Sequence, residues 1–137
     1  MLFHPHNVNT VSGLFLENKC IRFSKIVKNV GVKLDQHLTL KSHINHVASH
    51  SCKLIKDIGR VRTFLSQKDL ATLVHAVISN RLDYCNALFT CCSNKERAKL
   101  QKVQNAAARL LSGKRFGPIS NILNELHWLP IELRIFF

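Results

Sequence analysis

Lys95, Lys99, Lys102 and Arg109 are spaced by four, three and seven residues, and Lys114 and Arg115 follow shortly after. On a helix advancing 100° per residue, the first four share one face. A row of cations neutralises phosphates and releases their counterions, which is the chemistry of backbone binding to nucleic acid. A solvated face of a bundle helix would carry the same pattern. Arg109 has a second option, an ion pair with a carboxylate such as Asp83.

His43, His46 and His50 lie close together, with Cys52 nearby. His46 and His50, four apart, match the spacing for two ligands of one metal. No acidic residue follows in the His-Glu-x-x-His manner, and there is no Cys-x-x-Cys pair to complete a site. Cys85, Cys91 and Cys92 are poorly spaced for zinc. No metal and no cofactor is expected. The single tryptophan sits in Leu126-His127-Trp128-Leu129-Pro130. A base could stack on it, but a tryptophan flanked by leucines more often closes a core, with His127 as a satisfied partner. Arg81-Leu82-Asp83-Tyr84-Cys85-Asn86 is expected to form a corner fixed by an Arg–Asp pair with Tyr84 packed over it.

What is missing from the sequence narrows its chemistry further. There is no Gly-x-x-x-x-Gly-Lys loop, no Gly-x-Ser-x-Gly elbow and no Gly-x-Gly-x-x-Gly turn. Two-metal polymerase chemistry needs carboxylates held close together. Asp35, Asp57, Asp69 and Asp83 are scattered, and no two acidic residues are adjacent. No catalytic residue is expected.

These residues need elements to position them. A chain of 137 residues with 46% hydrophobic content fits one domain with a real core. Its net charge of +12 favours a polyanionic partner. The five cysteines read as free thiols of a reducing compartment. The start, Met1-Leu2-Phe3-His4-Pro5-His6, lacks a signal-peptide pattern. No run reaches the roughly 18 apolar residues of a membrane span. An intracellular location, nuclear or cytoplasmic, without membrane partners is expected.

Three segments are expected: an irregular 1–19, a β-hairpin over 20–35 and a helical domain over 36–137. The hairpin rests on alternation around Ile21, Phe23 and Lys25 and around Val30, Val32 and Leu34, turning near Lys28-Asn29. Ile44, Val47, Ser51, Leu54, Ile58, Val61 and Leu65 then step at helical spacing, with Gly59 as a possible end or bend. Ser66 is positioned to cap a second helix whose apolar side is Leu70, Leu73, Val74, Val77 and Ile78. Ser93 and Glu96 have capping-box spacing, and Gly113 supplies the stop of a third helix. Pro118 suits the start of a shorter fourth, and Pro130 ends that segment. The fold class is mainly α: a short N-terminal hairpin and then a bundle of three to four helices.

Several blocks together carry a family resemblance. Val27-Lys28-Asn29-Val30-Gly31-Val32-Lys33-Leu34-Asp35 resembles the strand segment that closes the palm of LINE-type (non-LTR) retrotransposon reverse transcriptases. His43-Ile44, Ile58-x-Arg60-Val61-Arg62, the Arg81–Asn86 block, Leu100-Gln101-x-Val103-Gln104-Asn105-Ala106-Ala107-Ala108-Arg109 and the Leu-His-Trp-Leu-Pro run are similar to that family in the same order. The likeness covers roughly residues 20–137. It implies the end of the palm followed by a thumb-like bundle truncated at its C-terminus, without the palm's metal-binding carboxylates. It also implies a grip on RNA or on a template–primer duplex, and docking to the palm and fingers of the parent RNA-directed DNA polymerase. Residues 31–86 are also similar to a stretch grouped with AlkB-type DNA-repair dioxygenases, whose iron ligands are missing here. The functional expectation is a non-catalytic fragment that binds nucleic-acid backbone non-specifically through Lys95, Lys99, Lys102, Arg109, Lys114 and Arg115. The alternative is a helical protein-interaction module, or a relic with no selected function.

Overall fold

The computed structural model describes residues 13–17, 19–22, 24–114 and 116–136. It is mainly helical, with two short antiparallel hairpins ahead of the helices. Strands β1 (Gly13–Leu16) and β2 (Lys19–Arg22) pair with each other. Strands β3 (Ile26–Asn29) and β4 (Val32–Asp35) form a separate pair, with Ile26 opposite Asp35 and Asn29 opposite Val32. The single hairpin expected over 20–35 is therefore corrected: Cys20 and Ile21 belong to the first pair, and Gly13–Leu16 is a strand rather than irregular chain. Residues 1–12 lie outside the described residues.

The second hairpin turns at Val30-Gly31, not at Lys28-Asn29. Both turn residues have positive φ, 44° at Val30 and 83° at Gly31, as the tight two-residue turn that matches strand twist requires. Glycine adopts this freely, but a β-branched valine is strained there. Two contacts with Tyr84 hold the turn. Its hydroxyl donates to the Val30 carbonyl at 2.5 Å, and its ring lies where a side chain on Gly31 would be in van der Waals contact with it.

Asp35 closes β4 and organises the entry into the first long helix. Its carboxylate accepts the backbone N–H groups of His37 (3.1 Å) and Thr39 (3.0 Å) and the Thr39 hydroxyl (2.9 Å). Burial pushes its pKa up, but the Thr39 and His37 hydrogen bonds outweigh that and hold it below the usual carboxylate value.

Helix α1 (Lys41–Val61) runs straight through Gly59 and ends in a tight turn at Arg62–Phe64. Ile44, Val47, Ser51 and Ile58 of the expected stripe are buried, whereas Val61 at its end is exposed. Helix α2 (Gln67–Val74) is capped by the Ser66 hydroxyl, which accepts from the Asp69 N–H. A π-helical turn at His75–Ser79 leads directly into α3 (Asn80–Asp83). After a 3₁₀ segment at Asn86–Cys91 comes α4 (Asn94–Ser112), capped by Ser93 and stopped by Gly113 at φ 72°. A side chain at Gly113 would collide with the Arg62 guanidinium. Two short helices follow, α5 (Ile119–Glu125) after Pro118 and α6 (Ile131–Phe136) after Pro130.

The core lies between α1 and α4 and is roofed by α2 and the π turn. Ile44, Leu70, Val74, Ile78, Leu100 and Val103 are all essentially sealed from solvent. Val32 joins this core from β4, which packs against α1. Ser51 is fully buried and, among the described residues, its hydroxyl has no hydrogen-bond partner, a desolvation cost that alanine would not incur. Ser51→Ala is expected to raise stability by about 1 kcal/mol in urea unfolding; a loss of that size would mean the hydroxyl is satisfied. Val30→Asn removes little packing, because Val30 is 78% exposed. It should add about 1 kcal/mol by relieving the left-handed valine, and an unchanged melting temperature would show that the turn carries no strain.

Candidate nucleic-acid interface

Ser93 and Glu96 set the first turn of α4. The Ser93 hydroxyl accepts from the Glu96 N–H and donates to the Glu96 carboxylate at 3.1 Å. Glu96 also accepts from Lys99 Nζ at 3.1 Å. That bond, ahead of the opposing effect of burial, keeps the Glu96 pKa below its usual value. Lys99 Nζ donates as well to Asn45 Oδ1 of α1 at 2.6 Å. Lys99 is therefore a tie between the two long helices, with only part of its charge facing solvent.

The other expected cations divide into two groups. Lys95 and Lys102 are exposed, on the same side of α4 as Lys99. They stand two turns apart, about 10 Å along the axis. Among the described residues neither is in an ion pair, and Lys95 shares a surface recess with Lys41 and His37. Arg109 and Lys114 face the C-terminal end instead. Arg109 donates to the Gly117 carbonyl at 3.2 Å, and Lys114 is held by both oxygens of Glu125 at 2.7 and 2.8 Å. They brace the loop between α4 and α5. Arg115 lies outside the described residues.

The suggested partner of Arg109 is taken elsewhere: Asp83 binds Arg134 of α6 at 2.6 Å. The Arg81–Asp83 pair expected at the corner does not form either. The corner itself is present, with α3 ending at Asp83 and Cys85 at φ 56°.

Trp128 is half-buried between the main core and a satellite of Ala108, Ile122 and Leu123. Its ring meets His75 edge-on at 5.3 Å. The run around it is fixed from α4 by Gln104, which is sealed from solvent and donates to the Leu129 carbonyl at 2.7 Å. Gln104 Oε1 accepts in turn from Gln101 Nε2 at 3.0 Å. This geometry packs the indole as a plug. His127 is exposed, at φ 53°.

Sequence reasoning missed a second basic feature. A cleft of about 420 Å³ opens between the β3–β4 hairpin, α1 and the π turn, lined by Lys28, Lys33, His43, His46, Arg81 and Tyr84 among others, none of them acidic. The buried His43 accepts the Lys33 backbone N–H through Nδ1 at 3.4 Å. Its pKa is lowered by burial and then by His46 and Lys33. His46 is also lowered, by desolvation and then by the charges of Lys33, His50, Arg81 and Lys28. Only the turn at 30–31 and the pairing of residues far apart in sequence bring these groups together. Among the described residues, no three His, Cys, Asp or Glu side chains stand where they could hold a metal ion. No helix there is long and apolar enough to cross a membrane.

Comparison with protein-family models, with curated proteins and with solved structures finds no match to this chain.

Gln104 is the residue on which the Trp128 run depends. Gln104→Ala is expected to cost about 2 kcal/mol, since it strands the Leu129 carbonyl and empties a sealed site. Trp128 fluorescence follows the unfolding directly, and a variant as stable as the parent would mean the run is held by packing alone.

Proposed function

We propose that this chain is a non-catalytic, thumb-like fragment of a LINE-type reverse transcriptase that binds the phosphate backbone of RNA or of a template–primer duplex without sequence specificity. The observation that carries this reading is the exposed pair Lys95 and Lys102 on α4, next to the partly engaged Lys99 and outside any ion pair among the described residues. Exposed, unpaired lysines on a rigid helix are free to displace counterions from a polyanion. The overall charge of +12 supplies a field of the same sign. Arg109 and Lys114 are engaged in the α4–α5 loop, with the Gly117 carbonyl and with Glu125. The fragment has no polymerase activity of its own, because its carboxylates are dispersed over separate elements.

Affinity for a duplex should fall steeply between low and moderate salt. The Lys95→Glu/Lys102→Glu variant should lose most binding in fluorescence anisotropy and show a salt slope flatter by about two, one for each lost phosphate contact. Binding that ignores salt, or a variant that binds as well as the parent, would overturn the reading.

A further inference from the structure

The cleft beneath the second hairpin is a different kind of place from the α4 face. Cationic and imidazole side chains line it from three directions: Lys28 from β3 and Lys33 from β4, His43 and His46 from α1, and Arg81 from α3. Tyr84, just past α3, holds the turn at its edge. Its lining contains no carboxylate, so the structure offers these cations no anion of its own there. Two features at and beside its walls are costly to the fold alone. One is the left-handed Val30, which lies outside the lining but shares the turn with Gly31, which is part of it, and strain of that kind collects at binding sites. The other is the π turn at His75–Ser79, which contributes Ala76 and Val77; such turns are frequent at functional sites.

We propose that this cleft is a binding site for a terminal phosphate monoester, with His46 as a ligand whose protonation strengthens the binding. A monoester dianion offers three oxygens to donors arriving from several sides, and is the more strongly held for its second charge. A backbone diester has two free oxygens and continues as chain on both sides. The volume of about 420 Å³ accommodates the phosphate with its attached sugar. His46 is kept neutral by desolvation and by its cationic neighbours. A bound dianion reverses their effect, so protonation of His46 and binding support each other. The site does not depend on the α4 lysines. Two sources share this chemistry, a free nucleotide and the 5′-phosphorylated end of a polynucleotide.

The test follows the His46 imidazole C2–H of the full chain by proton NMR as pH is varied, with and without ligand. The ligands are adenosine monophosphate and a 5′-phosphorylated oligonucleotide, each against its dephosphorylated parent. With a phosphorylated ligand, His46 is expected to titrate at least about one unit higher, which is a tenfold tightening on protonation, while His127 in the α5–α6 loop does not move. Adenosine monophosphate alone producing the shift supports the site as one for free nucleotide. The oligonucleotide alone producing it supports a site for a chain end. Arg81→Gln and Lys28→Gln, each with native circular dichroism, should lose the shift. The proposal is overturned if neither phosphorylated ligand moves His46, or if both variants keep the full shift. It is equally overturned if the 5′-hydroxyl oligonucleotide acts as strongly as the phosphorylated one, since backbone diesters would then suffice. Lys95→Glu/Lys102→Glu leaves this cleft intact, so failure of the α4 reading and failure of this one are told apart.

Discussion

The close packing of α1 on α4 is the constraint from which the rest follows. The two longest helices lie against each other through Ile44, Val47, Leu100, Val103 and Ala107. Both helices carry a small, fully buried residue, Ser51 on α1 and Ala107 on α4. Once this contact is made, each helix has one buried stripe, and every lysine on it must point elsewhere. The charge of the chain is thus sorted by packing. Lys95 and Lys102 are pushed to the outer side of α4, and Lys99 lies at the seam, where it reaches across to Asn45.

The same contact places the other elements. Gln67 of α2 donates to the Leu111 carbonyl at the end of α4 at 2.8 Å, which satisfies a carbonyl that the helix end leaves open. Gln104 draws the Trp128 run onto the far side of α4, and Val32 seats the second hairpin on α1. A buried glutamine with its bonds satisfied is a strong device for specifying one arrangement, because any shift leaves polar atoms unpaired. The satellite core of Ala108, Ile122 and Leu123 exists because Trp128 spans the gap to the main one.

Much of this was legible in the residues. The helices declare themselves by spacing and by Ser66, Ser93 and Gly113, whose capping chemistry is local and needs no knowledge of the fold. The plug role of Trp128 is also readable, from its apolar neighbours. The hairpin turn was not. Val30-Gly31 is a poor turn by intrinsic preference, and it forms because Tyr84, remote in sequence, supplies the missing hydrogen bond. Ion pairs failed for the same reason: Asp83 had a candidate cation close by in Arg81, yet the pair is made with Arg134. The α4 lysines could be placed on a helix face from sequence, but the reach of Lys99 to Asn45 of α1, and of Lys114 beyond the helix to Glu125, depends on what packs alongside. The cleft was invisible because its cations come from separate elements, and no periodicity links Lys28 and Lys33 to His46 and Arg81.

The Tyr84 tether also sets an order of events in folding. A turn with a left-handed valine cannot nucleate its own hairpin, since the strain arises before any strand pairing offsets it. The stabilising hydroxyl arrives only when the corner after α3 has formed, and the covering face only when α1 is in place. Closing such a distant contact is slow compared with forming a local helix. This hairpin precedes the helices in sequence, yet it is expected to complete its turn only after the helices that hold it have formed.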